Sequence, residues 1–434
     1  MGKGSSPKLI RKKLYTSISK IASDLKSCVK TPERDFSRTR KLPLQTMLLM
    51  LIGMGSGSLA KELYDWSGFT SNTATVSAFV QQRNKIRPEA LKMIFKDFTA
   101  STCANKTYKS FRLLAVDGSD LRLPSNPSDE LSLISNSSGQ KTYNLVHLNA
   151  MYDLMNKVYV DVEMQGKKGM NEHKALVSMV DRSDISGNVL VLMDRGYESF
   201  NNIAHFQEKQ WKYVIRAKES FGMITRLPLP DTAEFDVDIT LTLTRRQTKE
   251  TLPLLLSQPE RYRWIQPHTT FDYIEPKQAN MYHLHFRAVR FLISEGVYET
   301  VYTNLDKNYF SSEEIKKLYN LRWGIETSFR DLKYAIGLSA LHCKKNDSML
   351  QEVFSRLILY NYTSLIAQTL PVSSAKQVCF SLATIFARKH LKKAITSLQL
   401  LEILEKHLLP IRPGRKFKRF QNLISAVAFQ YRLA

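Results

Sequence analysis

The stretch that most constrains this chain runs from Glu313 to Gly337, EEIKKLYNLRWGIETSFRDLKYAIG. It holds no proline, and its apolar residues recur at helical spacing, which predicts one amphipathic helix. At 100° per residue, Leu318, Leu321, Ile325, Phe329, Leu332 and Ile336 fall in an arc roughly 80° wide, a stripe that faces a core. Tyr319, Arg322, Glu326 and Lys333 fall in a second arc of about 60°, directly beside it. One carboxylate is thus held among a phenol, a guanidinium and an amine at the edge of a buried face. A surface helix laced with i,i+4 charge pairs would look similar, so the rest of the chain has to decide.

Charge narrows the partner. Sixty-three Lys and Arg against 40 Asp and Glu leave +23, which favours a polyanion, nucleic acid before membrane. No apolar run reaches the roughly 18 residues that span a bilayer. The best, Met47 to Met54, reads as a core helix, and the basic N-terminus lacks the apolar stretch of a signal peptide. Cys28, Cys103, Cys343 and Cys379 have neither zinc-ligand nor disulfide-framework spacing. A cytoplasmic protein is expected.

The chain divides by character. Residues 1–105 are expected to form a basic, helical DNA-binding region; through Lys41 they carry twelve Lys and Arg against three acids. Within it, LAKELYDWSGFTSNTATVSAFVQQRNKI has two helical patches around a turn, with Ser71 or Thr73 as the cap, compatible with a helix-turn-helix reader. Residues 106–218 read β-β-β-α-β-α-β. Two of the strands, FRLLAVDGSD and NVLVLMDRGYES, end their apolar runs on Asp117 and Asp194. Residues 219–304 read as a β-strand insertion, with Phe235, Val237, Ile239, Leu241 and Leu243 in strict alternation. Residues 305–345 carry the opening helix. Residues 346–434 read as helical, ending in a tail that has seven Lys and Arg and no acid from Lys406 onward.

Carboxylates at the ends of buried strands are costly unless compensated. A divalent cation compensates them, and Mg²⁺ prefers oxygen ligands. Asp117 and Asp194 are the natural pair, and Glu326 the natural third. Two ions about 4 Å apart, held by three carboxylates, can activate a water and stabilise the leaving oxygen of a phosphodiester. Tyr319, Arg322 and Lys333 would then grip phosphates beside the cut. Other chemistries fit worse, since the chain holds no G-x-x-x-x-G-K and no G-x-S-x-G. Nor does any histidine precede an arginine by three residues. Asp120, Glu172 and His173 are weaker rivals for metal binding or proton transfer.

These motifs carry a resemblance. YNLRWGIETSFRDLK is similar to the Y-x2-R-x3-E-x6-K signature of bacterial insertion-sequence DDE transposases, the family named after insertion sequence four. VDGSD resembles that family's first-aspartate segment and MDRGY its second. TNL at 303–305 and VIRAK at 214–218 also look like the family. The resemblance covers roughly residues 110–345 and implies an α/β fold. Its RNase H-like core would be a mixed five-stranded sheet with helices, interrupted by a β-rich insertion and flanked by helical N- and C-terminal regions.

For function the resemblance implies binding of an element's terminal inverted repeats, cleavage of the DNA ends, and strand transfer into target DNA. It implies Mg²⁺ or Mn²⁺, two ions per site, held by the catalytic residues Asp117, Asp194 and Glu326. It implies DNA contacts from Tyr319, Arg322, Lys333 and Arg195, and a homodimer that synapses two double-stranded ends close to the nucleoid. No small-molecule substrate and no membrane are expected. Some relatives cut through a DNA hairpin with a flipped base stacked on an aromatic of the insertion; Trp264, Phe271, Tyr273 and Tyr298 are the candidates here. A related nuclease without strand transfer and a catalytically idle DNA-binding protein remain the alternatives.

Overall fold

The computed structural model describes residues 6–412 except 39–40, 103–105, 124, 135–141, 220, 226 and 276–279. Most of the basic tail expected after Lys406 therefore lies outside the described residues. The chain opens with helices α1 (Pro7–Ala22), α2 (Leu44–Gly53), α3 (Leu59–Ser67), α4 (Val76–Arg83) and α5 (Pro88–Thr102). The apolar run at Met47 forms α2 and is buried throughout. Between α3 and α4, Gly68 adopts φ 71°, the left-handed turn that glycine tolerates at a helix end. The cap of α4 is Thr75, whose hydroxyl accepts from Ala78 N, rather than Ser71 or Thr73. The Thr73 hydroxyl donates instead to the Thr70 carbonyl, 2.6 Å away, and closes the turn.

Five strands follow: β1 (Arg112–Leu123), β2 (Tyr143–Asp153), β3 (Val158–Gly166), β4 (Val189–Met193) and β5 (Lys212–Arg216). They lie in the order β3-β2-β1-β4-β5. The first three are antiparallel to one another, while β4 and β5 run parallel to β1. That order and mix make the RNase H-like core. Every residue of β4 is buried, the continuous apolar run of a strand covered on both faces. Helices α6 (Glu172–Asp181) and α7 (Phe200–Glu208) join β3 to β4 and β4 to β5.

The strands β6 (Phe235–Thr244), β7 (Met281–Ser294) and β8 (Val297–Thr303) do not form a separate sheet. They extend the core sheet beyond β5 in the order β5-β8-β7-β6, with Thr303 of β8 opposite Val214. The insertion is thereby joined to the core through a short antiparallel ladder, Val301–Thr303 against Val214–Arg216. Alternation holds only in part: Phe235, Ile239, Leu241 and Leu243 are buried and Asp238 and Thr240 exposed, but Val237 is half-buried and Thr242 and Thr244 are buried as well.

The expected helix at Glu313 is real but broken. Helix α8 (Ser312–Asn320) starts on a capping box of Ser311 and Glu314, and α9 (Trp323–Arg330) follows. Between them the amides of Leu321, Arg322, Gly324 and Ile325 each bond the carbonyl three residues back. This is a tight, overwound turn. A π turn, Asp331–Ala335, then unwinds the chain. A uniform 100° wheel cannot anticipate either. Leu321, expected in the buried stripe, is 40% exposed, and Tyr319 and Arg322 turn inward instead, to 5% and 6%. Ile325, Phe329, Leu332 and Ile336 are buried as the stripe requires.

Helices α10 (Asn346–Ala367), α11 (Phe380–Leu391) and α12 (Ser397–Lys406) complete the described chain. Helix α10 packs on α5, α2 and α1, so the helices from both ends of the sequence share one core. A buried ion pair fixes the match: Arg83 of α4 meets Glu352 of α10 at 2.7 Å, both under 4% exposed. Among the described residues, no helix is long and apolar enough to cross a membrane.

Candidate active site

The parallel ladder between β1 and β4 ends at Val116 opposite Met193. Asp117 and Asp194 are the next residue on each strand. The sequence placed Asp117 at a strand end, yet β1 continues to Leu123, paired only with β2. What ends at Asp117 is its neighbour, and the open edge gives the carboxylate its access. Each aspartate is pinned by a backbone amide that follows it, in the strand for Asp117 and in a turn for Asp194. Gly118 N donates to Asp117 Oδ1 and Gly196 N to Asp194 Oδ1, both at 2.8 Å.

Glu326 reaches the same edge from α9. Arg322, on the overwound turn, donates through Nη2 to Glu326 Oε1 at 2.9 Å, and its Nη1 stands 3.8 Å from Asp117 Oδ2. Burial pushes the Asp117 carboxyl up to about 6, and the charges of Asp194 and Glu326 push the same way against Gly118 N–H and Arg322. Three carboxylates from segments 77 and 132 residues apart in sequence, counted as 194 − 117 and 326 − 194, thus share one field.

The donor set suits a hard divalent cation: carboxylate oxygens only, with negative charge that burial leaves under-compensated. Among the described residues the wholly buried Tyr197 hydroxyl has no hydrogen-bond partner, and burial followed by Glu172, Asp117 and Asp194 raises its pKa. The oxygens are not drawn together, however. Among the described residues, no group of three or more His, Cys, Asp or Glu is close enough to hold an ion. Arg322 supplies the counter-charge between Asp117 and Glu326.

The other expected contacts are placed as follows. Arg195 is exposed on the turn after Asp194. Lys333 donates to the Asp120 carbonyl at 2.8 Å, and burial lowers its ammonium's pKa. The Tyr319 hydroxyl is buried without a hydrogen-bond partner among the described residues, and the guanidinium of Arg322 lies 5.8 Å from the centre of its ring. Of the insertion aromatics, Phe271 is buried and the Tyr273 hydroxyl is tied to His205, whereas Trp264 is 41% exposed and Tyr298 lies beneath Arg290.

Of the three rivals, His173 turns away, its Nδ1 on the Asn202 amide. Asp120 and Glu172 are drawn into a cluster that sequence reasoning missed. His147 of β2 stands between them, with Nδ1 2.6 Å from Asp120 Oδ1 and Nε2 2.9 Å from Glu172 Oε1. The only sequence signal for His147 is its register opposite Asp120, which no motif reveals. A cavity of about 780 Å³ lies at the other end of β1, around Lys96, Arg112, Asp161 and Arg182, and contains none of these residues.

Comparison with known proteins supplies context for this geometry. Residues 108–362 match a family model described as the transposase DDE domain. Transposase InsG for insertion sequence element IS4, from Escherichia coli (strain K12), is 22% identical over 342 residues, covering 75% of this chain and 70% of that protein. Among solved structures, the piggyBac transposase synaptic complex with hairpin DNA is similar at a TM-score of 0.45 and 11% identity, over 97% of this chain and 89% of that one.

Proposed function

The chain belongs to the transposase DDE family and is a DNA transposase, and from that premise we propose that it moves its element by cut and paste. It binds the terminal inverted repeats, hydrolyses the phosphodiester at each end and joins the ends to target DNA, working in the cytoplasm at the nucleoid. The observation that carries this reading is the convergence of Asp117, Asp194 and Glu326 on one open sheet edge, with the Asp117 carboxyl raised to about 6 by burial and by the other two.

Asp117, Asp194 and Glu326 would hold Mg²⁺ or Mn²⁺, two ions per site, which supply a lowered pKa for the attacking water and charge stabilisation for the leaving oxygen. The protein's own groups do the positioning. Gly118 and Gly196 amides fix the aim of the two aspartates. Arg322 is bound to Glu326 and close to Asp117 in the DNA-free chain. A phosphate arriving at the site offers the guanidinium a better-matched anion, and its transfer to that phosphate frees Glu326 for the metal. Arg195 and Lys333 add phosphate contacts beside the scissile bond, and Tyr319 stands behind Arg322. Two copies of the chain hold the two ends together. Of the four candidate aromatics, Trp264, 41% exposed, is the one whose ring can stack on a flipped base if the second strand is cut through a hairpin.

Incubating the full chain with Mg²⁺ and DNA carrying the element's ends tests the reading. Cleaved ends joined to a second DNA are expected, from a complex whose mass contains two chains. Cleavage without joined products would leave a nuclease, and binding without cleavage an idle DNA-binding protein.

A further inference from the structure

We infer that Glu172 is a fourth carboxylate of this metal site and that His147 holds it in position. The inference rests on the proposed metal-dependent reading. Three observations that the DDE triad does not use carry it. First, Glu172 reaches the backbone that follows both aspartates. A Cβ built on Gly118 would lie 2.8 Å from Glu172 Oε1, and one built on Gly196 would lie 3.7 Å from Glu172 Oε2. One carboxylate therefore borders the residue after Asp117 and the second residue after Asp194. Side chains alternate along a strand, so Gly118 opens toward the face opposite Asp117. Glu172, on the first turn of α6, fills that opening, while Glu326 serves the other face from α9.

Second, the carboxylate has a fixed charged neighbour, His147 Nε2 at 2.9 Å, outside the alignment of a hydrogen bond. His147 stands between Glu172 and Asp120, and Lys167 backs Asp120 at 3.1 Å. Burial disfavours charge on the imidazole, but the two carboxylates outweigh it and raise its pKa. The glycine at 118 is a condition of this packing, since any side chain there would come within 2.1 Å of His147 Nε2. Third, the Tyr197 hydroxyl is 1% exposed and has no hydrogen-bond partner among the described residues, and the charges of Glu172, Asp117 and Asp194 act on it. A buried hydroxyl without a partner marks a place where a further polar species belongs. A carboxylate aimed by an imidazole that is itself held by a second acid is how proteins orient oxygen and nitrogen ligands toward a metal.

The test is a Mn²⁺ titration of the full chain without DNA, followed by electron paramagnetic resonance of the free ion. Wild type is compared with Glu172→Gln, His147→Ala, Asp194→Asn and Asp153→Asn. Asp153 is a wholly buried carboxylate of β2 paired with Arg112, away from the site. Glu172→Gln is expected to weaken Mn²⁺ binding about tenfold or more, and His147→Ala by about tenfold, the range seen when groups that orient ligands are removed. Asp153→Asn is expected to leave it unchanged. If Asp194→Asn loses Mn²⁺ while Glu172→Gln stays within twofold of wild type, the role of Glu172 is overturned and the triad stands. Equal weakening by Asp153→Asn would overturn it too, as a general effect on folding. Absence of Mn²⁺ binding by wild type would overturn the reading beneath it.

Discussion

At the scale of single residues, the site is a balance of charges that burial makes unequal. Asp117 has an ordinary carboxyl pKa of 3.8 when unfolded and about 6 when folded, burial being the largest cause. Between those values the folded chain binds the proton and the unfolded chain does not. Stability of the metal-free protein therefore falls as pH rises from about 4 to 6, and the loss is complete above that window. Asp117→Asn removes the term while keeping an oxygen for Gly118 N–H. We expect this variant to exceed wild type by on the order of 2 kcal/mol at pH 7.5 in denaturant unfolding, converging with it below about pH 4. A constant difference across that range would contradict the cause assigned here. Arg322 gives a second prediction. Arg322→Gln removes the cation beside Asp117 and Glu326, so Mn²⁺ should bind the DNA-free chain several-fold more tightly while binding of end DNA weakens. Unchanged Mn²⁺ affinity in calorimetry would show that the guanidinium does not compete with the ion.

These residues differ in how far they can be read from sequence. Asp117, Asp194 and Glu326 each sit in a short motif, and each motif closes an apolar run or an apolar stripe. His147 sits in no motif. It meets Asp120 through strand register and Glu172 through the packing of α6, two facts that exist only after folding. Tyr197 was visible as part of MDRGY, but its stranded hydroxyl was not.

At the scale of elements, periodicity found most strands and helices but assumed them uniform. The segment from Glu313 to Gly337 reads as one helix because it contains no proline and its apolar spacing is continuous, although Gly324 weakens it at the turn. Tertiary packing overwinds it at Arg322 and unwinds it after Asp331, and those departures turn Arg322 toward Asp117. The insertion strands were likewise found individually, whereas their attachment to β5 depends on pairing across 89 residues of chain, from Val214 to Thr303 (303 − 214 = 89). Helix partners were equally hidden. Arg83 and Glu352 lie far apart in sequence and pair in the core between α4 and α10, where Arg83 also donates to Gln351 at 2.9 Å. Removing one member leaves a buried charge without its counter-ion. Arg83→Met is expected to cost about 3–5 kcal/mol in denaturant unfolding. A cost below about 1 kcal/mol would mean that the helices at the two ends of the chain are not locked by this pair.

At the scale of the whole molecule, the surplus of +23 is a statement about partners rather than fold. Binding to the element's ends should release counterions, so its affinity should fall about a thousandfold or more between 50 and 200 mM salt if six or more phosphates are neutralised. A shallow dependence, seen by fluorescence anisotropy, would assign the surplus to something other than DNA. The edge proposed to be catalytic belongs to a sheet that carries the extension beyond β5 at one end and packs its β3 strand on helices α5 and α10 at the other.

The central claim is that Asp117, Asp194 and Glu326 together perform metal-dependent cleavage. Glu326→Gln tests it most directly, because the substitution keeps the shape of the side chain and a partner for Arg322 while removing the charge. End DNA bound by this variant as tightly as by wild type, but cleaved with Mg²⁺ about a hundredfold to a thousandfold more slowly, is the predicted result. Cleavage by Glu326→Gln at the wild-type rate would contradict it.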